Sequence, residues 1–239
     1  MRSLRILVMV ASIVALALLA ASGPGTRMGL WTWQIGLQML RWAAYIGMGA
    51  GAVALVVLLL HLMPRWRSLG LLVPFLAVAF SVAAFAPPLY MLGEAKKVPP
   101  IHDITTDVEQ PPQFVALLAQ RRAAPNGADY GGPQLAAQQK KAYPDIGPKV
   151  LSSPPAEAMR RALEAAQAMG WQVVSSDPAE GRIEATATTS WFGFKDDVVV
   201  RVKPDGVGSR VDVRSMSRVG RSDVGTNARR IREFLARLA

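Results

Sequence analysis

An α-helical membrane part followed by an α+β domain is the fold class this sequence predicts, and three observations carry it. Residues 1–92 hold no acidic side chain and three long apolar stretches. From Glu94 onward the composition becomes that of an ordinary water-soluble chain. After residue 150 the apolar periodicity reads helix, four strands, helix.

The apolar stretches are residues 4–21, 42–63 and 69–92. Each approaches the roughly 20 residues that cross about 30 Å of hydrocarbon. Small residues Ala20, Ala21 and Ser22 after the first also fit a cleaved signal peptide, which would leave two spans. Arg2, Arg5, Arg65 and Arg67 fall on one side of this arrangement, and Arg27 and Arg41 on the other. The positive-inside rule then places the N-terminus in the cytoplasm and the C-terminal domain outside, with Lys96 and Lys97 mildly opposed. Trp31, Trp33 and Trp42 around Arg41 read as an interfacial collar. Ala43, Gly47 and Gly51, spaced by four, offer a small-residue stripe for close helix packing. His61, near the inner end of its span, reads as a snorkelling residue rather than a proton path.

Residues 93–150 form a connector rich in Pro and Gln, with Pro99–Pro100 and Pro111–Pro112. One helix-like piece, residues 114–122, interrupts it. Ile101, Phe114, Leu117, Leu118, Tyr130, Tyr143 and Ile146 are apolar anchors that a free tether would not need, so the connector is expected to pack.

Residues 151–239 form the α+β domain. Ser153 before Pro154 and Pro155 marks a helix start, with Ser153 as N-cap, and Gly170 marks its end. Strands are expected at residues 171–175, 182–189, 197–203 and 209–217, joined by turns such as Asp177-Pro178 and Pro204-Asp205-Gly206. In the second of them Ile183, Ala185 and Ala187 alternate with Glu184, Thr186 and Thr188. A last helix begins near Ser222 or Asp223. Short turns make the sheet four-stranded and antiparallel, with two flanking helices.

The stretches 192–202 (Phe-Gly-Phe-Lys-Asp-Asp-Val-Val-Val-Arg-Val) and 211–231 (from Val211-Asp212-Val213-Arg214 through Ser222-Asp223-Val224-Gly225 to Arg230-Ile231) resemble the signature of the family called domain of unknown function 1499. Residues 101–107 and 142–146 resemble segments of its membrane-anchored bacterial members. The resemblance covers residues 93–239 and implies a fold and a bacterial inner-membrane setting, not an activity. Members of the family often carry a cysteine ahead of the domain; this chain has no cysteine, so no thiol role transfers.

The net charge of +10 divides as +6 over residues 1–92, +1 over the connector and +3 over the domain. Most of the excess flanks apolar spans, which argues against nucleic acid as a partner. With no cysteine and two histidines, the sequence offers no metal site, and it implies no cofactor. The expected partners are the lipid bilayer and either an anionic lipid or another envelope protein.

One constellation stands out where the last strand meets the last helix. Asp212, Arg214 and Arg201 alternate onto one strand face and can pair across strands. Asp196, Asp197, Ser215, Arg218, Asp223, Asn227 and Arg230 enlarge the group into either a structural network or an anion-binding site at a helix N-terminus. Adjacent Asp196 and Asp197 face opposite sides of a strand, which disfavours a catalytic carboxylate pair. His102 and Asp103 are minor candidates as a proton-handling pair. In the hairpin between the second and third strands, Trp191, Phe192 and Phe194 are expected to fold over the sheet end, with a dip into the lipid interface as the alternative. The function expected is binding, scaffolding or envelope maintenance by an extracytoplasmic module. The alternative is an enzyme acting on an anionic envelope component or lipid headgroup.

Overall fold

A computed structural model describes residues 1–66 and 70–238. Arg67 and Leu69, used above for orientation and for the third span, lie outside the described residues. The chain folds as two compact units. One comprises Met1–Glu94 with Ser190–Gly193, and the other contains the rest from Ala95 on.

The first unit holds three helices, α1 (Arg2–Arg27), α2 (Trp33–Leu60) and α3 (Leu72–Lys96), each long and apolar enough to cross a membrane. Helix α2 begins nine residues before the span expected at Trp42, so Arg41 lies inside the helix. There its Nε donates to the Tyr45 hydroxyl one turn on, at 3.0 Å. Val8, Ala54 and Ala77, one from each helix, form a shared apolar contact. The Ser12 and Ser81 hydroxyls bond at 2.9 Å, a polar link between α1 and α3 in the apolar interior. Gly47 and Gly51 face α3: a Cβ on either would lie 3.1 Å from Ser81 atoms, so the stripe permits the close approach expected of it. His61 is fully buried rather than snorkelling, its Nδ1 2.7 Å from the Val57 carbonyl.

The hairpin tip Ser190–Gly193 belongs to this helical unit. Trp191 donates its indole N–H to the Ser22 hydroxyl at 3.4 Å, and Phe192 is buried beside Gly36. A Cβ at Gly23 would sit 2.2 Å from the Trp191 ring, so this seat exists only for glycine.

The second unit is an α+β domain. Its elements are β1 (Asp103–Thr105), α4 (Leu118–Ala123), α5 (Gly132–Ala142), β2 (Lys149–Leu151), α6 (Pro155–Ala168), β3 (Gln172–Asp177), β4 (Arg182–Thr188), β5 (Lys195–Asp205), β6 (Gly208–Ser217) and α7 (Thr226–Ala236). The antiparallel sheet runs β1-β6-β5-β4-β3. To the four expected strands the connector adds two of three residues each, β1 and β2, which pair end to end along the free side of β6. Outside β1, Gln139 of α5 takes the place of a further strand. Its amide accepts from Thr105 N at 3.0 Å and donates to Thr105 O at 2.6 Å, which closes the edge.

Helices α6 and α7 both lie on one face. Alternation sends Ile183, Ala185, Val198, Val200, Val211 and Val213 to that side, where they pack with Ala162, Ala166, Ala228 and Ile231. Trp171 stacks on Phe234 with ring centres 5.2 Å apart, joining the ends of the two helices. Two cap positions differ from expectation. The N-cap of α6 is Pro154, whose extended backbone (φ −64°, ψ 159°) sets the entry angle without a side-chain bond from Ser153. Helix α7 starts at Thr226 after Gly225 in the left-handed region, three or four residues later than the expected start near Ser222 or Asp223.

The opposite face of the sheet is covered by the connector. Phe114 and Leu117 pack there on Val199 and Met216. Around this small apolar contact the interface is charged.

Candidate functional site

The residues singled out from the sequence fall on the two sides of the sheet. This follows from alternation: Asp196 opposes Ser217 and points to the helix face, while Asp197 opposes Met216 and points to the connector face.

On the helix face, Arg230 Nη2 donates to Asp196 Oδ2 at 2.7 Å and Nη1 donates to the Ser215 hydroxyl at 3.0 Å. The Asn227 carbonyl accepts from both Arg230 and Ser215, the latter at 2.7 Å. The Asn227 amide nitrogen in turn donates to His102 O and Ser217 Oγ, both at 3.0 Å. Asn227 thus uses both ends of its amide to tie the last helix to β6 and to the start of β1.

Asp223 lies at the entry to α7. Although Gly225 holds the N-cap position, the Asp223 carboxylate accepts from Gly225 N at 2.8 Å and Asn227 N at 2.7 Å. It therefore satisfies the helix-start amides from two residues upstream of the cap, which leaves them unavailable to an external anion. Burial pushes the Asp223 carboxyl up, with Asp196 adding to the rise, against the two backbone bonds and Arg230. An acid whose folded pKa exceeds its unfolded value holds more protons when folded. Its stabilising contribution is complete below the unfolded value of about 4 and is lost as pH rises through the folded one. Relative to Asp223→Asn, which cannot titrate there, the parent protein should lose stability as pH climbs through that window. Urea midpoints for both at a series of pH values check this, and a pH-independent difference would contradict it.

The connector face carries the larger network. Arg214 is fully buried, with Nε donating to Asp103 Oδ1 at 3.0 Å and Nη2 to Oδ2 at 2.9 Å. Further bonds run to the carbonyls of Pro112 and Ala128, and its guanidinium lies over the Phe114 and Tyr130 rings. Asp197 receives two bonds of 2.8 Å from Arg218, one of 2.8 Å from the Thr186 hydroxyl and one of 3.4 Å from buried Arg121. Asp212 is held by Arg201 at 2.9 Å, directly across the strand pair, with Arg210 and Thr106 adding to it. Glu184, also fully buried, accepts the backbone N–H groups of Val115, Ala116 and Leu117, each at 2.9 Å.

The electrostatics follow from this enclosure. Burial lowers the Arg121 guanidinium against the pull of Asp197, yet arginine stays charged at any physiological pH. Burial pushes the Tyr130 phenol up to about 12, with Asp103 adding to the shift and Arg214 opposing it. Burial also pushes Asp107 up, but the Gln110 and Glu109 amides and Arg201 outweigh it and hold the carboxyl below the usual range.

His102 and Asp103 serve different contacts: Asp103 is taken by Arg214, while the His102 ring lies 3.5 Å from the Arg221 carbonyl. Among the described residues no three His, Asp or Glu side chains converge as metal ligands. Glu184, Thr186, Arg121, Asp107 and Arg210 belong to the network without having been expected there. Alternation in β4 marks Glu184 as facing away from the apolar core, but no periodicity distinguishes solvent from a polar covering segment.

No curated protein matches the chain. The family model described as a protein of unknown function (DUF1499) matches residues 103–238, from the first residue of β1 to just past the end of α7. That match spans more than half of the sequence and takes in the connector face as well as the helix face, and on it the chain belongs to the DUF1499 family.

Proposed function

We propose that this protein is a non-enzymatic component of a bacterial inner membrane, its α+β unit outside the cytoplasm and serving binding, scaffolding or envelope maintenance. One observation carries the reading against catalysis: the buried carboxylates of the connector face are each bonded and shielded. Asp103, Asp197, Asp212 and Glu184 are each at most 1% exposed, and every one has an arginine or backbone N–H partner. A general acid or base must instead meet the proton it transfers. Such a network fixes a fold, which suits a module that presents a constant surface.

The extracytoplasmic side is supported by arginine placement, with Arg2, Arg5 and Arg65 at one end of the helices and Arg27 and Arg41 towards the other. Its test uses the absence of native cysteine. Val207, in the β5–β6 turn, is 99% exposed, unlike buried Ser209 nearby. In intact cells, Val207→Cys should react with a membrane-impermeant maleimide. Labelling only after the membrane is permeabilised would place the unit in the cytoplasm and overturn this part of the proposal.

A further inference from the structure

Helix α7 carries Arg229, Arg230 and Arg232, and Arg237 is its C-cap, four arginines in all. Three of them meet a carboxylate: Arg230 meets Asp196, Arg232 meets Asp145 and Arg237 meets Glu233. Arg229 forms no ion pair among the described residues. Its guanidinium is nevertheless fixed, with Nη1 donating to the Val224 carbonyl at 3.1 Å and Nη2 to the Thr226 hydroxyl at 3.0 Å. A guanidinium has five N–H donors, so this fork is oriented by two neutral acceptors and keeps further donors for a ligand.

Arg229 lines a cleft of about 260 Å³ together with Gly170, Trp171, Thr188, Thr226 and Arg230. Glu233 also borders it, but its carboxylate is engaged by Arg237 at 3.0 Å. Of the charged side chains lining the cleft, Arg230 is paired with Asp196 and Glu233 with Arg237, which leaves Arg229 as the lining charge that no ion pair offsets among the described residues. The Thr188 and Thr226 hydroxyls add neutral hydrogen-bonding groups. Trp171, held by its stack on Phe234, supplies an apolar border.

We propose that this cleft binds a phosphomonoester, its oxyanion on Arg229 and its organic substituent along Trp171. The oriented Arg229 fork suits an anion with several oxygens, Arg230 being engaged by Asp196, Ser215 and Asn227, and the cleft is smaller than the sites that enclose drug-sized ligands. The start of α7 adds the positive end of the helix dipole, although its amides are committed to Asp223. The site goes beyond the scaffolding role proposed above and does not depend on which side of the membrane the unit occupies. The phosphate group could belong to a soluble ester or to a lipid headgroup, since the chemistry of recognition is the same.

The test uses the full chain in phosphatidylcholine nanodiscs, titrated calorimetrically with glycerol 3-phosphate. Saturable binding is expected, weakened about tenfold or more by Arg229→Gln. Arg122→Gln, at another exposed arginine without an ion pair among the described residues, should leave it unchanged. Competition by phosphatidic acid placed in the discs would assign the group to a lipid headgroup. Binding without such competition would assign it to a soluble ester. Absence of saturable binding at millimolar ligand, or equal binding by the Arg229→Gln protein with unchanged thermal unfolding, would overturn the proposal.

Discussion

Replacing Arg214 with alanine is expected to cost about 3–5 kcal/mol of folding stability, the largest single effect in the domain. The reason is what remains behind. Asp103, 1% exposed, would be left buried without either of its guanidinium bonds. The carbonyls of Pro112 and Ala128 would lose their donor, and the Phe114 and Tyr130 rings their common cation. The ion pair itself need not be strongly favourable, because burying two charges consumes much of the Coulomb energy they gain. Arg214→Met together with Asp103→Leu should therefore recover most of the loss. Pulse proteolysis of the full-length protein in detergent across a urea series reads both variants. A single Arg214→Ala change that leaves the midpoint in place would show that the pair is not buried as described.

Glu184→Ala is the second large effect, about 3 kcal/mol, and it should be local. One carboxylate accepts three successive backbone N–H groups, those of Val115, Ala116 and Leu117. Val115 and Ala116 are exposed enough for water to take over, whereas Leu117 N is buried with its side chain 1% exposed. Hydrogen exchange is thus expected to accelerate at residues 115–123 while β4 and β5 keep their protection. Glu184→Gln should fall between the two, because its amide oxygen still accepts while its NH₂ opposes a backbone donor. Uniformly faster exchange over the whole sheet would mean that Glu184 supports the sheet itself rather than the segment on it.

Much of the fold was legible because its signals are periodic. Strands β4 and β6 alternate cleanly, and α6 and α7 have apolar stripes, so their existence and order follow from the sequence. Strands β1 and β2 were not legible. Three residues are too few for a period, and what makes Asp103–Thr105 a strand is the open side of β6 beside it. Helix α5 was not expected either: the connector reads as rich in Pro and Gln, although Pro133 occupies the first turn of this helix.

The candidate cluster was legible as composition and not as geometry. Alternation separates Asp196 from Asp197, as the strand register shows, but the residues from Asp212 to Arg230 read as one polar group from the sequence, and the sheet parts them. Their chief partners lie far away in sequence, with Asp103 and Arg214 separated by 111 positions. No local pattern carries such a pairing. The same distance hides Arg121, which is fully buried against Asp197 and the Met216 carbonyl.

The two faces of this sheet set different rules for how its sequence can drift. On the helix side, exchanges among Val, Ile, Leu and Ala each cost a methyl group or two, so substitutions can accumulate one at a time. On the connector side, a single change strands a charge, and the tolerated route is a simultaneous change of both partners. Divergent relatives should therefore vary independently at Val198, Val200 or Val213. At Asp103 with Arg214, at Asp197 with Arg218 and at Asp212 with Arg201, they should change as couples.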